Sequence, residues 1–150
     1  GFTLALACDL AVAARSAKFV NAFHNAGNGG EGGFSWLLPR AVGTQRAAEI
    51  MLTARPIPAE EAERIGMVLR AVPDAELMDN VLDLARAIAV NAPLDVWLTK
   101  QTMHHTWSVG SLDQSVALET RAIAMGNASE DGQEVRRARR EKRPPAYQSR

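Results

Sequence analysis

Residues 1–20 read Gly-Phe-Thr-Leu-Ala-Leu-Ala-Cys-Asp-Leu-Ala-Val-Ala-Ala-Arg-Ser-Ala-Lys-Phe-Val. From Leu4 to Ala14 the run is apolar with only Asp9 as a charge; Arg15-Ser16 breaks it, and Ala17 to Val20 is a second short apolar piece. The pattern predicts a helix end, a buried strand, a turn and another strand, the beginning of an α/β fold. These residues already have the character of the inside of a folded element, and the chain opens on Gly1 rather than Met. A start upstream of Gly1 is therefore expected.

Working outward, His24 to Gly33 holds five glycines together with Asn25, Asn28 and Glu31. Glycine has no Cβ and reaches backbone angles closed to other residues, so this composition predicts a loop whose backbone passes close to something. Phe34 to Val42 and Thr44 to Leu52 read as two short helices around Gly43. From Ile57 to Gly66, Pro58 falls at a first helical turn, Glu60 and Glu61 near the positive end of the helix dipole, and Gly66 just past the stop. Met67 to Val72 reads as a strand closed by Pro73. Beyond it, Leu77, Val81, Leu84, Ala85 and Ile88 recur at helical spacing, and Pro93 to His105 and Ser111 to Gly126 continue the trend. Ser111 and Gln114 form a capping-box pair for the last of these. The expected division is residues 1–73 as an α/β core and residues 74–150 as a helical region with apolar faces and little sheet of its own.

The chain has 150 residues, 47% of them hydrophobic, which suffices for one buried core and is too short for two ordinary domains. Seventeen Lys and Arg balance seventeen Asp and Glu, so no global field draws the protein toward nucleic acid or anionic lipid, and any anion site is local. Cys8 has no partner in the sequence, which excludes an internal disulfide and a Cys-ligated zinc and fits a reducing compartment. No stretch approaches the ~20 apolar residues that cross a bilayer, and no charged-then-apolar leader is present. A soluble intracellular protein is expected, either cytoplasmic or, in a eukaryote, in a mitochondrial or peroxisomal matrix. His104 and His105 diverge by ~100° on a helix, so they cannot share a metal as an i, i+4 pair would, and no metal site is expected. Arg136 to Arg143 is basic at six of eight positions. It reads either as a solvated helix face or as a local anion contact; a nucleic-acid role is disfavoured by the neutral net charge and the lack of interleaved aromatics.

Several of these segments fall together in the order of one known family. Gly1 to Ala13 resembles the glycine-rich turn, helix and "CD" strand of the enoyl-CoA hydratase/isomerase (crotonase) family, and Ala17-Lys18-Phe19 resembles its following strand. Phe34 to Gly43 is similar to the helix junction common in isomerase-like members, Leu52 to Val68 to the "LTGxxIsAeEAxxiGLV" segment, and Ser129 to Tyr147 to the family's C-terminal "EKR" region. The resemblance spans nearly all of the chain, and it implies the C-terminal portion of a crotonase-like spiral of ββα repeats followed by helices that assemble trimers or hexamers. It also implies an acyl-CoA thioester as substrate, with CoA part of that substrate and no separate cofactor. In the family two backbone N–H groups hold the thioester oxygen, because the enolate formed by removing a neighbouring proton is cheapest when donors are already aimed at it. By this resemblance the first donor lies far upstream and the second in the turn just before Gly1.

The same alignment places the two hydratase glutamates at Thr3 and Phe23, and neither residue accepts a proton. Adding water across a double bond needs one carboxylate to take the water's proton and another to orient it or supply one, which argues against an ordinary hydratase. Glu31, eight residues beyond Phe23, stands where one-carboxylate isomerases of the family carry an acid. It reads either as the catalytic base or as an exposed loop acid. Gly30 replaces the family's usual proline, and Phe23, Phe34 and Trp36 are candidates for an apolar wall that raises a glutamate pKa. His24 follows the lost second glutamate position and titrates near neutrality, so it is the alternative catalytic residue. Gly1, Phe23, Gly30, Trp36 and Lys142 are the substrate-binding candidates, with Lys142 as the "EKR" lysine that reaches the 3'-phosphate of CoA in some members. The expected function is enoyl-CoA double-bond isomerisation through one carboxylate. A hydratase, or a catalytically silent acyl-CoA-binding paralogue, are the alternatives.

Overall fold

The computed structural model describes residues 1–148, with the side chains of His24 and Asn25 outside the described residues. The chain divides into two compact units, Gly1–Asp83 and Leu84–Arg150. Asp74, at the start of the expected helical region, is tied to Ser16 of the first unit. Its carboxylate accepts from the Ser16 backbone N–H at 3.1 Å and from the Ser16 hydroxyl, and these two bonds hold the Asp74 carboxyl below its ordinary pKa.

The first unit runs α1 (Phe2–Ala7), β1 (Val12–Ala14), β2 (Lys18–Phe19), α2 (Ala22–Asn25), α3 (Phe34–Val42), α4 (Thr44–Thr53), β3 (Ile57–Pro58), α5 (Ala59–Arg64) and β4 (Arg70–Val72). A 3-10 turn at Asp74–Glu76 leads into α6 (Leu77–Ala89). β1 pairs in parallel with β4, Val12 opposite Arg70 and Ala14 opposite Val72. A parallel pair needs a long crossover, and everything from β2 to α5 supplies it. β2 pairs antiparallel with β3, Phe19 opposite Ile57.

The core is built on one face of α3. Phe34, Leu38 and Val42 recur every four residues, so their side chains stack on one side of the helix, and all three are buried. Ala47 and Ile50 of α4, Ile57, and Ala59 and Ala62 of α5 close over that face. Burying a side chain such as Phe34 or Leu38 contributes roughly 1.5–3 kcal/mol. Gly43 separates the two helices at φ +82°, an angle that favours glycine, and its N–H donates to the Pro39 carbonyl at 2.9 Å.

Local departures from the expected pattern have simple causes. Pro58 caps α5 from outside instead of opening its first turn, because Ile57–Pro58 is drawn into pairing with β2. The strand expected over Met67 to Val72 shortens to Arg70–Val72. Before it, the Met67 and Val68 N–H groups fold back to the Ala62 carbonyl at 2.8 and 3.3 Å, and the Leu69 N–H reaches the Ala11 carbonyl at 2.8 Å. The loop expected over His24 to Gly33 begins two residues later, since His24 and Asn25 end α2 and precede the glycines.

α4 and α5 are also joined by charge. Arg55 donates to Glu49 at 2.5 and 3.0 Å and to Glu61 at 2.8 and 2.7 Å, a fork that satisfies two carboxylates at once. The guanidinium holds the Glu61 carboxyl below its usual range.

The second unit contains α7 (Pro93–Thr106), α8 (Leu112–Ala128) and α9 (Glu130–Glu141), with no strand among its described residues. The Ser111 hydroxyl accepts from the Gln114 N–H at 3.3 Å as expected, while the Gln114 side chain reaches past Ser111 to the N–H of Gly110 at 3.0 Å. α9 is capped by Ser129, whose Oγ accepts from the Gly132 N–H at 2.9 Å, and it ends at Lys142 with φ +54°. No helix among the described residues is long and apolar enough to cross a membrane.

Candidate functional site

The glycine loop, residues 26–33, enters α3 at Gly33, whose φ of +87° is left-handed. Its carrier is an aromatic cluster. Phe34 is buried at the start of α3, with Phe2 of α1 edge-on at 4.9 Å, Phe19 of β2 at 5.4 Å from Phe2, and Phe23 of α2 at 6.2 Å from Phe34. These four rings join α1, β2, α2 and α3 around one point, and the loop wraps over it.

Two glycines are fixed by this crowding. A Cβ on Gly30 would stand 3.0 Å from Cδ1 of Phe34, and one on Gly32, at φ +66°, would stand 3.3 Å from Cγ2 of Thr3. Glu31 lies between them and is exposed. Its carbonyl accepts from the Phe34 N–H at 3.2 Å and from the Thr3 hydroxyl at 3.4 Å. The structure thus brings together Thr3, Phe23, Gly30, Glu31 and Phe34.

Trp36 does not join the apolar wall expected around Glu31. It is 50% exposed, and the Arg40 guanidinium lies 3.2 Å from its ring centroid while donating to its carbonyl at 3.1 Å. Residues four apart share a helix face, and the cation covers one face of the ring. Gly1 is exposed, and its carbonyl starts α1 by accepting from the Ala5 N–H at 3.0 Å. The backbone of His24 lies in α2, and its side chain is outside the described residues.

Lys142 sits in the second unit, exposed at the left-handed end of α9. The tail beyond Lys142 folds back onto the helix. Arg143 donates to Glu134 at 2.5 and 3.2 Å and to Glu141 at 2.6 Å, while the Ala146 N–H reaches Glu134 at 3.1 Å and the Gln148 N–H reaches Asp131 at 2.7 Å. Glu134 and Asp131 are buried, and Arg143 holds the Glu134 carboxyl down at about 2, helped by the Ala146 N–H. Of the basic run, Arg136 donates to Asn127 and Arg137 pairs with Glu134 at 3.1 Å. Much of that run is therefore committed to intrachain contacts.

Thr3, which by the family resemblance stands at a hydratase glutamate position, contacts Glu31. The two are 28 residues apart, and only the fold joins them. Among the described residues, no group of three or more His, Cys, Asp or Glu is placed to hold a metal ion.

The arrangement is similar to that of known proteins along its whole length. A sequence model of the enoyl-CoA hydratase/isomerase family matches residues 1–150. A probable enoyl-CoA hydratase of Mycobacterium tuberculosis is 46% identical over 120 residues, covering 79% of this chain and 42% of that protein. The 1,2-epoxyphenylacetyl-CoA isomerase of Escherichia coli is 37% identical over 147 residues, covering 98% of this chain and 56% of that protein. The chain thus spans about half the length of the curated relatives it matches. Among solved structures, the enoyl-CoA hydratase of Bacillus anthracis superposes with a TM-score of 0.94 at 33% identity, over all of this chain and 58% of that one. These likenesses give the crotonase fold, and the chain belongs to the enoyl-CoA hydratase/isomerase family.

Proposed function

We propose that the protein containing this chain moves the double bond of an enoyl-CoA thioester, with Glu31 as the single proton carrier. The observation that carries this reading is the neighbourhood of the glycine loop: Glu31 is its acid, held beside Thr3 and the Phe23–Phe34 pair. By the family resemblance Thr3 and Phe23 stand where hydratases carry their two glutamates, which leaves one carboxylate to do the work. On a 3-enoyl thioester, Glu31 takes a proton from C2. The electron pair moves toward the thioester oxygen, giving a dienolate, and the same proton returned at C4 leaves the 2-enoyl product. One group acting as base and then acid suffices for this sequence, and adding water does not proceed as well without a second.

The likeness to an isomerase over 98% of the chain supports this reading. The hydratase alternative is favoured by the name of the Mycobacterium tuberculosis relative. Turnover of paired 3-enoyl and 2-enoyl thioesters by the intact protein tests the choice. Isomerisation exceeding hydration is expected; efficient hydration of the 2-enoyl thioester with no isomerisation would overturn it, and binding without either reaction would favour the silent paralogue.

On the same reading, the oxyanion donors come from sequence outside these 150 residues, so the isolated piece is expected to be inactive, each donor being worth roughly 10²-fold or more in rate. Lys142 is read as a contact to the 3'-phosphate of CoA, Gly1, Phe23, Gly30 and Trp36 as contacts to the substrate, and His24 as the alternative base. The only other small molecule the chemistry calls for is the CoA carried by the substrate. Self-assembly as a trimer or hexamer is supported by exposed apolar side chains such as Met78, Leu112 and Ile123, 61%, 77% and 63% exposed. A cytoplasmic or organelle-matrix location completes the proposal, with neither nucleic acid nor membrane as a partner.

A further inference from the structure

We infer that Thr3 is a positioning residue for Glu31, fixing the peptide that carries the proposed proton carrier; this rests on the reading of Glu31 above.

Five glycines lie between residues 24 and 33, and a glycine-rich segment loses more backbone freedom on ordering than any other. A carboxylate mounted on such a segment is held in place only as well as its peptide is. The Glu31 carbonyl has two donors. The Phe34 N–H, at 3.2 Å, closes a local turn and fixes the loop only to the helix it enters. The Thr3 hydroxyl, at 3.4 Å, comes from α1 and ties the loop to a separate element.

α1 is itself a firm support. Phe2, next to Thr3, packs edge-on against Phe34 at 4.9 Å and against Phe19 at 5.4 Å. Thr3 therefore stands on a helix docked to the entry of α3, beside the loop it touches. The contact has a second half. The Thr3 methyl faces Gly32, where a Cβ would come within 3.3 Å, so the loop backbone passes closer to α1 than most side chains at residue 32 would permit. Hydroxyl and methyl thus grip adjacent residues of one segment, a carbonyl at 31 and a bare Cα at 32.

The test uses the intact protein and a 3-enoyl-CoA substrate. Three variants are compared by kcat, KM and the pH profile of kcat: Thr3→Val, which keeps the shape and removes the hydroxyl; Thr3→Ser, which restores the hydroxyl alone; and Glu31→Gln. A neutral hydrogen bond of this kind is worth about two- to tenfold. Thr3→Val is expected to lower kcat by that factor, with KM within about twofold and a pH profile of unchanged shape, because the proton carrier is displaced and not replaced. Thr3→Ser is expected to recover most of the rate. If Thr3→Val matches the parent, or Thr3→Ser is as impaired as Thr3→Val, the hydroxyl does not position Glu31 and the inference fails while the Glu31 reading stands. If Glu31→Gln itself turns over normally, the reading fails and the inference falls with it. Should Thr3→Val lower the melting temperature markedly, Gly32→Ala presses on the same contact from the loop side. It is expected to lower kcat likewise, and an unchanged kcat would overturn the inference.

Discussion

The glycine loop and the tail that folds back on α9 each present a glutamate, and they treat it in opposite ways. Glu134 is 8% exposed, gripped by Arg143 and by the Ala146 N–H, and kept ionised down to about pH 2. Glu31 is exposed on a segment flanked by glycines, and its fixed contacts are made through its backbone carbonyl. A carboxylate whose charge is already neutralised by a guanidinium is a poor proton carrier, because taking up a proton means abandoning its partner. Glu61, gripped by Arg55, belongs with Glu134. The contrast separates acids gripped by guanidinium groups from Glu31, the acid to which the proposed function assigns proton transfer.

The largest expected effect concerns what anchors the loop. Phe34→Ala removes a ring that is 1% exposed and touches Phe2 and Phe23, and should cost about 3–5 kcal/mol of stability in chemical denaturation. A loss below about 1 kcal/mol would mean that the aromatic cluster is not what supports the loop.

An acid titration sharpens the other side of the comparison. The Glu134 carboxyl titrates lower in the folded chain, at about 2, than its ordinary 4.5. Its contribution is therefore fully present above about pH 4.5 and is lost as pH falls through about 2. Arg143 and Arg137 face it with positive charge, and Glu141 shares Arg143. Protection of the Ala146 amide, taken relative to its intrinsic exchange rate at each pH, should be high at pH 5 and fall between about 4.5 and 2, while Glu134→Gln should already show less protection at neutral pH. Protection that does not change across that window would show that the carboxylate is not the latch.

The smallest effect is at the end of α9. Lys142 holds φ +54°, a conformation that costs a residue bearing a Cβ about 1–2 kcal/mol, part of which glycine's greater unfolded freedom offsets. Lys142→Gly should therefore raise stability by roughly 0.5–1 kcal/mol. If Lys142 meets the CoA phosphate, the same change should weaken binding of a CoA thioester, and a calorimetric titration beside a thermal melt would read both. A stabilised variant with unchanged affinity would leave Lys142 as a helix end and nothing more.

Much of the fold was legible because it rests on local patterns. Phe34, Leu38 and Val42 announce a buried helix face by spacing alone, and Gly43 and Gly66 mark stops where the backbone does turn left-handed. The pairing of Ile57–Pro58 with Lys18–Phe19 was not legible, since two residues offer no period to detect. Trp36 meets Arg40 and not the wall expected around Glu31, and the spacing of four already puts the two on one helix face. The basic run reads either as a solvated helix face or as a local anion contact, and nothing in it names Glu134 as the partner of Arg143. At the candidate site the family resemblance points to Glu31, but its contact with Thr3 spans 28 residues and only the tertiary fold makes it.

The central claim is that Glu31 carries the proton, and Glu31→Gln tests it most directly, because the amide keeps the shape of the side chain and removes its ability to take up a proton. In the intact protein, the rate of 3-enoyl to 2-enoyl conversion should fall by ~10²-fold or more, while an independently measured CoA-ester dissociation constant stays within a few fold. Normal turnover by Glu31→Gln together with loss of activity in His24→Ala would move the base to His24 and contradict the account.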